Sequence, residues 1–86
     1  MLRFSITIHD GAVQPPAHTE KVAVGDTVRI RVVDDHADEL HIHPTVIAKP
    51  IKAGQPLTVT LHVNQAMTYY VEEHRSATPL LQLNAQ

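Results

Sequence analysis

Apolar residues recur at every second position through most of this chain, and that spacing restricts it to strands. Phe4, Ile6 and Ile8 alternate with Arg3, Ser5 and Thr7. Val28, Ile30 and Val32 alternate with Thr27, Arg29 and Arg31, and Leu57, Val59, Leu61 and Val63 with Thr58, Thr60 and His62. Val22 and Val24 keep the same spacing, as do Leu81 and Leu83. No window of helical length shows a period near 3.6 instead. Turn-forming residues separate the runs: Asp10-Gly11, Gln14-Pro15-Pro16, Gly25-Asp26, Asp34-Asp35, Lys49-Pro50, Ala53-Gly54-Gln55-Pro56 and Asn64-Gln65. Their spacing predicts seven to eight short antiparallel strands. One sheet cannot bury this many apolar faces, so two must pack face to face in an all-β Greek-key β-sandwich. The predicted inward set is Phe4, Ile6, Ile8, Val22, Val28, Ile30, Val32, Leu40, Ile42, Val59, Leu61, Val71, Leu81 and Leu83. In VAVGDTVRIRVV a strand over Lys21 to Val24 reaches a Gly-Asp turn, and a second begins at Thr27.

The 86 residues correspond to a single domain, 1-86, with no repeat, linker or low-complexity tract. Apolar residues make up 43%, which suits a folded core. Apolar runs are only a few residues long, so no membrane insertion is expected. MLRFSITIHDG alternates rather than holding an apolar stretch of signal-peptide length, so no signal peptide is visible in this chain. That leaves a cytosolic protein or one whose leader has been removed. A formal net charge of −2, without a basic stripe and with only Phe4, Tyr69 and Tyr70 as aromatics, argues against nucleic-acid binding. There is no cysteine, which excludes disulfides, thiolate nucleophiles and thiolate metal sites.

Seven histidines are the compositional anomaly. Imidazole is a common ligand for borderline metals and titrates near neutrality, so the excess raises both metal binding and pH sensing. In ELHIHP, His41 and His43 stand two apart and point the same way along a strand. In YYVEEHR, His74 closes a later strand, and in a Greek-key sandwich it can reach the same pole as the pair. The three imidazoles are candidate metal ligands for Cu(II), Zn(II) or Ni(II), with a carboxylate or water completing the shell. Glu72 and Glu73 are the nearby carboxylates. Alternation puts Glu72 on the face of Tyr70 and His74, and Glu73 on the face of Val71. An inward Glu73 would need a partner, for which His43 and Arg75 are candidates. Two plainer readings stand beside the metal site: a hydrogen-bonded His–Glu cluster, and simple exposure of His41 and His43 if Leu40 and Ile42 face the core. His9, His18 and His62 read as exposed, and His36 in DDHADE as part of a wet acidic loop. Neither Ser5 nor Ser76 sits in a nucleophile's surroundings, and a sandwich this small offers little concave pocket, so no enzyme activity is expected.

The order of these elements, the VGD-strand unit, DELHIHPTV, AGQPLTVTL and YYVEEHRSATPLLQL, resembles the cupredoxin-like domain family. It is most similar to a small bacterial subgroup with an HxH … E-x-H pattern, over roughly Phe4 to Leu83. The resemblance implies a cupredoxin-like sandwich, copper as the metal, and a periplasmic or extracellular location. Copper members use an early His, a late Cys-x-x-His and an axial Met. The late pair maps onto Val71 and His74, the axial ligand falls near Pro79 or Leu80, and the early His is His41 or His43. The chain has Val71 where the thiolate would be, so type-1 blue-copper electron transfer is excluded. Pro44 stands for the subgroup's Gly, Gln65-Ala66-Met67-Thr68 replaces its Pro-Gly, and Ser76-Ala77 replaces its Ser-Gly.

Together these readings predict a small non-catalytic domain holding a divalent metal, copper first and zinc or nickel otherwise, through His41, His43 and His74, with Glu73 and Glu72 as possible additions. The alternative is a metal-free interaction or accessory module with no cofactor, whose His–Glu cluster is structural or pH-responsive. The sequence identifies no protein partner.

Overall fold

A computed structural model describes residues 1–86. It contains β1 (Leu2–His9), β2 (Ala12–Gln14), β3 (His18–Val22), β4 (Thr27–Asp34), β5 (Asp38–His43), β6 (Ile47–Ile51), β7 (Leu57–His62), β8 (Thr68–Glu73) and β9 (Thr78–Ala85). One sheet has the order β2-β1-β4-β7 and the other β3-β9-β8-β5-β6. Each strand turns one face inward, as the alternation requires, and a core of 18 buried apolar residues fills the space between the sheets. Every predicted inward residue belongs to this core except Phe4, which packs against it half-buried. Ile51, Val63, Tyr69, Leu80 and Ala85 join it as well.

There are nine strands rather than seven or eight, and the two that alternation did not reveal are β2 and β6. Strand β2 is three residues long and pairs only with β1. Strand β6 contains Lys49-Pro50, which reads as a turn in sequence. At the sheet edge, where it pairs only with β5, proline's missing N–H is tolerated. Nor is the pairing wholly antiparallel. Strands β1 and β4 run parallel, with Phe4 opposite Ile30, and so do β3 and β9, with Glu20 opposite Leu83. The chain crosses between sheets after β2 and again after β3, so β4 returns beside β1 running in the same direction. Strand β3 begins at His18, upstream of the predicted Lys21, and His18 is half-buried rather than exposed. Its ring meets the Pro16 carbonyl oxygen at 2.9 Å and Glu20 at 2.8 Å.

The VGD unit makes the expected turn. The Asp26 N–H donates to the Ala23 carbonyl at 3.0 Å, and the Ala23 N–H donates back to the Asp26 carboxylate at 2.8 Å. Gly25 takes φ of 99°, a value that side chains disfavour. Its N–H donates to the Val63 carbonyl at 2.7 Å, tying the turn to the end of β7.

These directions bring the β1–β2 turn, the β4–β5 loop and the β8–β9 loop to one pole of the sandwich. The β8–β9 loop holds Ala77 at φ of 53°, in the left-handed region.

Three substitutions test this architecture. Ile30 is fully buried on β4, between Phe4 of β1 and Val59 of β7. Ile30→Ala is expected to cost about 2–5 kcal/mol, while Arg29→Ala on the opposite face changes stability by less than about 0.5 kcal/mol. Urea unfolding measures both, and equal effects would contradict the assigned faces. Ala77→Gly relieves the left-handed alanine and is expected to stabilise by up to about 1 kcal/mol after the entropy of the unfolded chain is counted. A lowered urea midpoint at unchanged slope would contradict that backbone conformation.

Candidate metal centre

Strands β5 and β8 pair antiparallel, with Leu40 opposite Glu73, His41 opposite Glu72, Ile42 opposite Val71 and His43 opposite Tyr70. Leu40 and Ile42 are fully buried, so His41 and His43 face outward. The outward face gathers Glu39, His41, His43, Tyr70 and Glu72, and His74 extends it just past the end of β8. The N–H of His74 donates to the Glu39 carbonyl at 2.8 Å, holding the loop residue against β5.

All three predicted imidazoles gather on this face, with His41 touching both others, although their ring nitrogens do not all come within 4.8 Å of one another. The His41 and His74 rings stack, with centroids 4.5 Å apart and planes 9° from parallel. The His43 ring stands edge-on to His41, centroid to centroid 5.7 Å. Each ring of the HxH pair also has a carboxylate. His41 Nε2 meets Glu39 Oε1, and His43 Nε2 meets Glu72 Oε1 at 2.8 Å. The hydrogen bond from His41 holds the Glu39 carboxyl below the usual carboxylate range, against an opposing effect of desolvation. Exposure is graded: the His41 side chain retains 19% and that of His43 52%. His74 is exposed, and so are His9, His36 and His62.

Glu73 sits elsewhere. Alternation places it with Val71 on the inward face, as predicted, and it is only 1% exposed. Neither His43 nor Arg75 partners it. His43 pairs with Glu72 from the other face of β8, and Arg75 forms no ion pair with Glu73. The groups beside Glu73 are Asp34, from the end of β4 in the opposite sheet, and Asp38, at the start of β5. Burial, then a hydrogen bond to Asp34 and the charges of Asp34 and Asp38, push the Glu73 carboxyl up to about 8. One of its oxygens, Oε2, has no hydrogen-bond partner. Asp38 resolves the same problem differently. Burial opposes its ionisation, but the N–H groups of Glu39 at 2.7 Å, Arg75 at 2.8 Å and Ser76 at 3.2 Å outweigh burial and hold its carboxyl below the usual range.

In sequence, Asp34 and Asp38 read as parts of a wet turn, yet both are buried. The same alternation carries their signal. Asp34 continues the parity of Val28, Ile30 and Val32, and Asp38 that of Leu40 and Ile42. Their loop also gathers donor atoms: three side chains bring one each within 4.8 Å at Asp34, Asp35 and His36, and again at His9, Asp10 and Asp35. Val71, the thiolate position implied by the resemblance, lies within β8 between Ile42 and Leu81 in the core, so the inward side chain nearest this pole on β8 is Glu73.

Glu73 makes stability depend on pH with a definite sign. The unfolded chain loses this proton near 4.5 and the folded chain near 8, so between those values the folded state binds more protons and stability falls as pH rises. At about 1.4 kcal/mol per unit, the loss amounts to a few kcal/mol. Glu73→Gln is expected to be more stable than the parent at pH 8, near parity at pH 5, and to lose most of the slope between them in urea unfolding. An unchanged slope would contradict an inward Glu73.

No protein-family model matches the chain, and no curated protein matches it in sequence. Solved structures resemble it in fold. The metal-binding domain of the Cu(I)-exporting P-type ATPase CopA from Streptococcus pneumoniae D39, determined with Cu(I), superposes with a TM-score of 0.77 at 11% identity, covering 98% of this chain and 84% of that one. Fet3p, a multicopper oxidase that functions in iron import, gives a TM-score of 0.74 at 17% identity over 98% of this chain and 23% of its own. The copper nitrite reductase from Nitrosomonas europaea gives 0.70 at 11% identity over 99% and 42%. This chain therefore spans most of the first domain and less than half of each of the two enzymes. At these identities the likeness is one of fold, and the fold is that of a cupredoxin-like β-sandwich, as it occurs in copper proteins.

Proposed function

We propose that this domain is a non-catalytic metal-binding module that handles copper outside the cytoplasm, with His41, His43 and His74 as its ligands. The observation that carries the reading is the meeting of three imidazoles from β5 and the β8–β9 loop on one outward face. The carboxylates support it. Ligating histidines commonly give their second ring nitrogen to a carboxylate, which fixes the tautomer and turns the other nitrogen to the metal. Glu39 and Glu72 stand at Nε2 of His41 and His43, leaving Nδ1 of each ring with a lone pair to offer. In this reading Glu72 orients a ligand, and the buried Glu73 takes no part.

The donor set fits some copper chemistry and not other. Imidazoles suit Cu(II), Zn(II) and Ni(II). Without cysteine the site lacks the thiolate that type-1 copper requires, so bound copper would be carried or sensed rather than used as a blue-copper electron relay. Copper ranks first because the domains that share this fold are described as copper proteins. Zinc and nickel fit the same nitrogens.

One observation favours a metal-free module instead. Both Nε2 atoms already have carboxylate partners, and His41 is covered by His74, so the cluster satisfies itself on the surface. Thermal unfolding with added metal separates the readings. A ligand that binds only the folded state stabilises by about 2.7 kcal/mol at a hundredfold excess over its dissociation constant, a rise of roughly 10–20 °C for a domain this size. Cu(II) or Zn(II) is expected to raise the melting temperature, and His41→Ala, His43→Ala and His74→Ala each to remove most of the rise. No rise at millimolar metal, or a rise unchanged in all three variants, overturns the reading.

A further inference from the structure

A second set of donors lies apart from the histidine face, around a cleft of about 520 Å³ at the pole. Its lining includes Asp34, His36, Asp38, Glu73 and Ser76, and neither His41 nor His43. At its base the two sheets each send a carboxylate inward at the same end, Asp34 from β4 and Glu73 from β8, and both are buried. Glu73 Oε2 has no partner there. Buried carboxylates side by side, with one acceptor left bare, are an arrangement that a proton or a cation must stabilise. No lysine or arginine does so: every ion pair in the protein is a histidine–carboxylate pair, and Arg75 lines the cleft without pairing. Asp38 is already saturated by three backbone N–H groups and adds negative charge without needing a partner.

At the rim, Asp34, Asp35 and His36 each bring one donor atom within 4.8 Å of the others. His36 Nδ1 lies 2.6 Å from Asp35 Oδ1 and 3.9 Å from Asp34 Oδ1, and the His36 N–H donates to Asp34 Oδ1 at 2.8 Å, which holds the loop folded over the cleft. Asp34 thus belongs both to the rim cluster and to the buried pair. Asp35 stands at the rim outside the cleft lining, where its carboxylate also accepts the Asp10 N–H at 3.0 Å and meets His9 Nδ1 at 2.9 Å. We propose that the rim of this cleft is a second divalent-cation site, with Asp34, Asp35 and His36 as ligands and Glu73 in the cleft lining beside Asp34. Two carboxylates and one imidazole, open to water on one side, suit Mn(II) and not Cu(I). The site shares no residue with the histidine face, so the two stand or fall separately.

Titration of the full-length chain with Mn(II), followed by paramagnetic broadening of its backbone amide NMR signals, tests the proposal. Saturable broadening is expected first at Gly11, Asp35 to Asp38 and Ser76, with little effect at His41 to His43. Asp35 and His36 are exposed, so the double variant Asp35→Asn/His36→Ala is expected to fold and to weaken Mn(II) binding by about tenfold or more. Glu73→Gln, which keeps the side chain's size, is expected to weaken it as well. The pair His41→Ala/His74→Ala is expected to leave it unchanged. Broadening centred on His41 to His43, no saturation by millimolar Mn(II), or an unchanged affinity in Asp35→Asn/His36→Ala overturns the site, whatever the histidine face does with copper.

Discussion

The register between β5 and β8 decides what each face of this domain can do. With Leu40 opposite Glu73 and His41 opposite Glu72, two imidazoles and a carboxylate stand on the solvent side, and a carboxylate is left inside. A slip of one residue along either strand would exchange the faces of that strand. Slipping β5 would bury His41 and His43 and expose Leu40 and Ile42, which are fully buried as folded. Burying two such aliphatic side chains is worth about 1.5–3 kcal/mol each, so the apolar pattern fixes the register, and the polar chemistry follows from it. The histidine patch is a consequence of the core and needs no loop to assemble it beyond the one that delivers His74.

The same constraint leaves a cost at the pole. Asp34, Asp38 and Glu73 lie at inward positions where their strands end, and each answers the loss of water in its own way. Asp38 is ionised and capped by backbone N–H groups from β5 and the β8–β9 loop, which also pins that loop. Glu73 holds its proton and leans on Asp34. The loop that Asp38 pins is the one that presents His74, so the buried acids and the exposed imidazoles are mechanically linked even though they lie on opposite faces. All three of these costly groups line the cleft at the pole.

The fold was legible because alternation at period two is a strong signal wherever both neighbours of a strand are present. It was silent at β2, which is three residues long, and at β6, where Pro50 reads as a turn unless the strand is known to lie at an edge. The parallel pairs were beyond reach, since a strand's residues do not record which way its neighbour runs. For the site, HxH at alternate positions gave the outward pair, and reading His74 against it gave the third ring. The partner of Glu73 was missed because it comes from the other sheet, across the core, where no spacing in the sequence points. Asp34 and Asp38 were missed for a different reason. Acidic residues in a Gly- or Asp-rich connection suggest water, and here the parity of the flanking strands outranks composition.

Metal binding at the histidine face requires His41 and His43 to offer Nδ1 while Glu39 and Glu72 hold Nε2. Long-range proton–nitrogen NMR of the imidazoles, recorded while Zn(II) is added, reads this directly, because it distinguishes the two nitrogens of each ring. The predicted result is an Nε2–H tautomer for both rings before metal, followed by saturable shifts at Nδ1 of His41 and His43 together with one nitrogen of His74. Nitrogen shifts of all three rings that stay unchanged at saturating Zn(II) would contradict it.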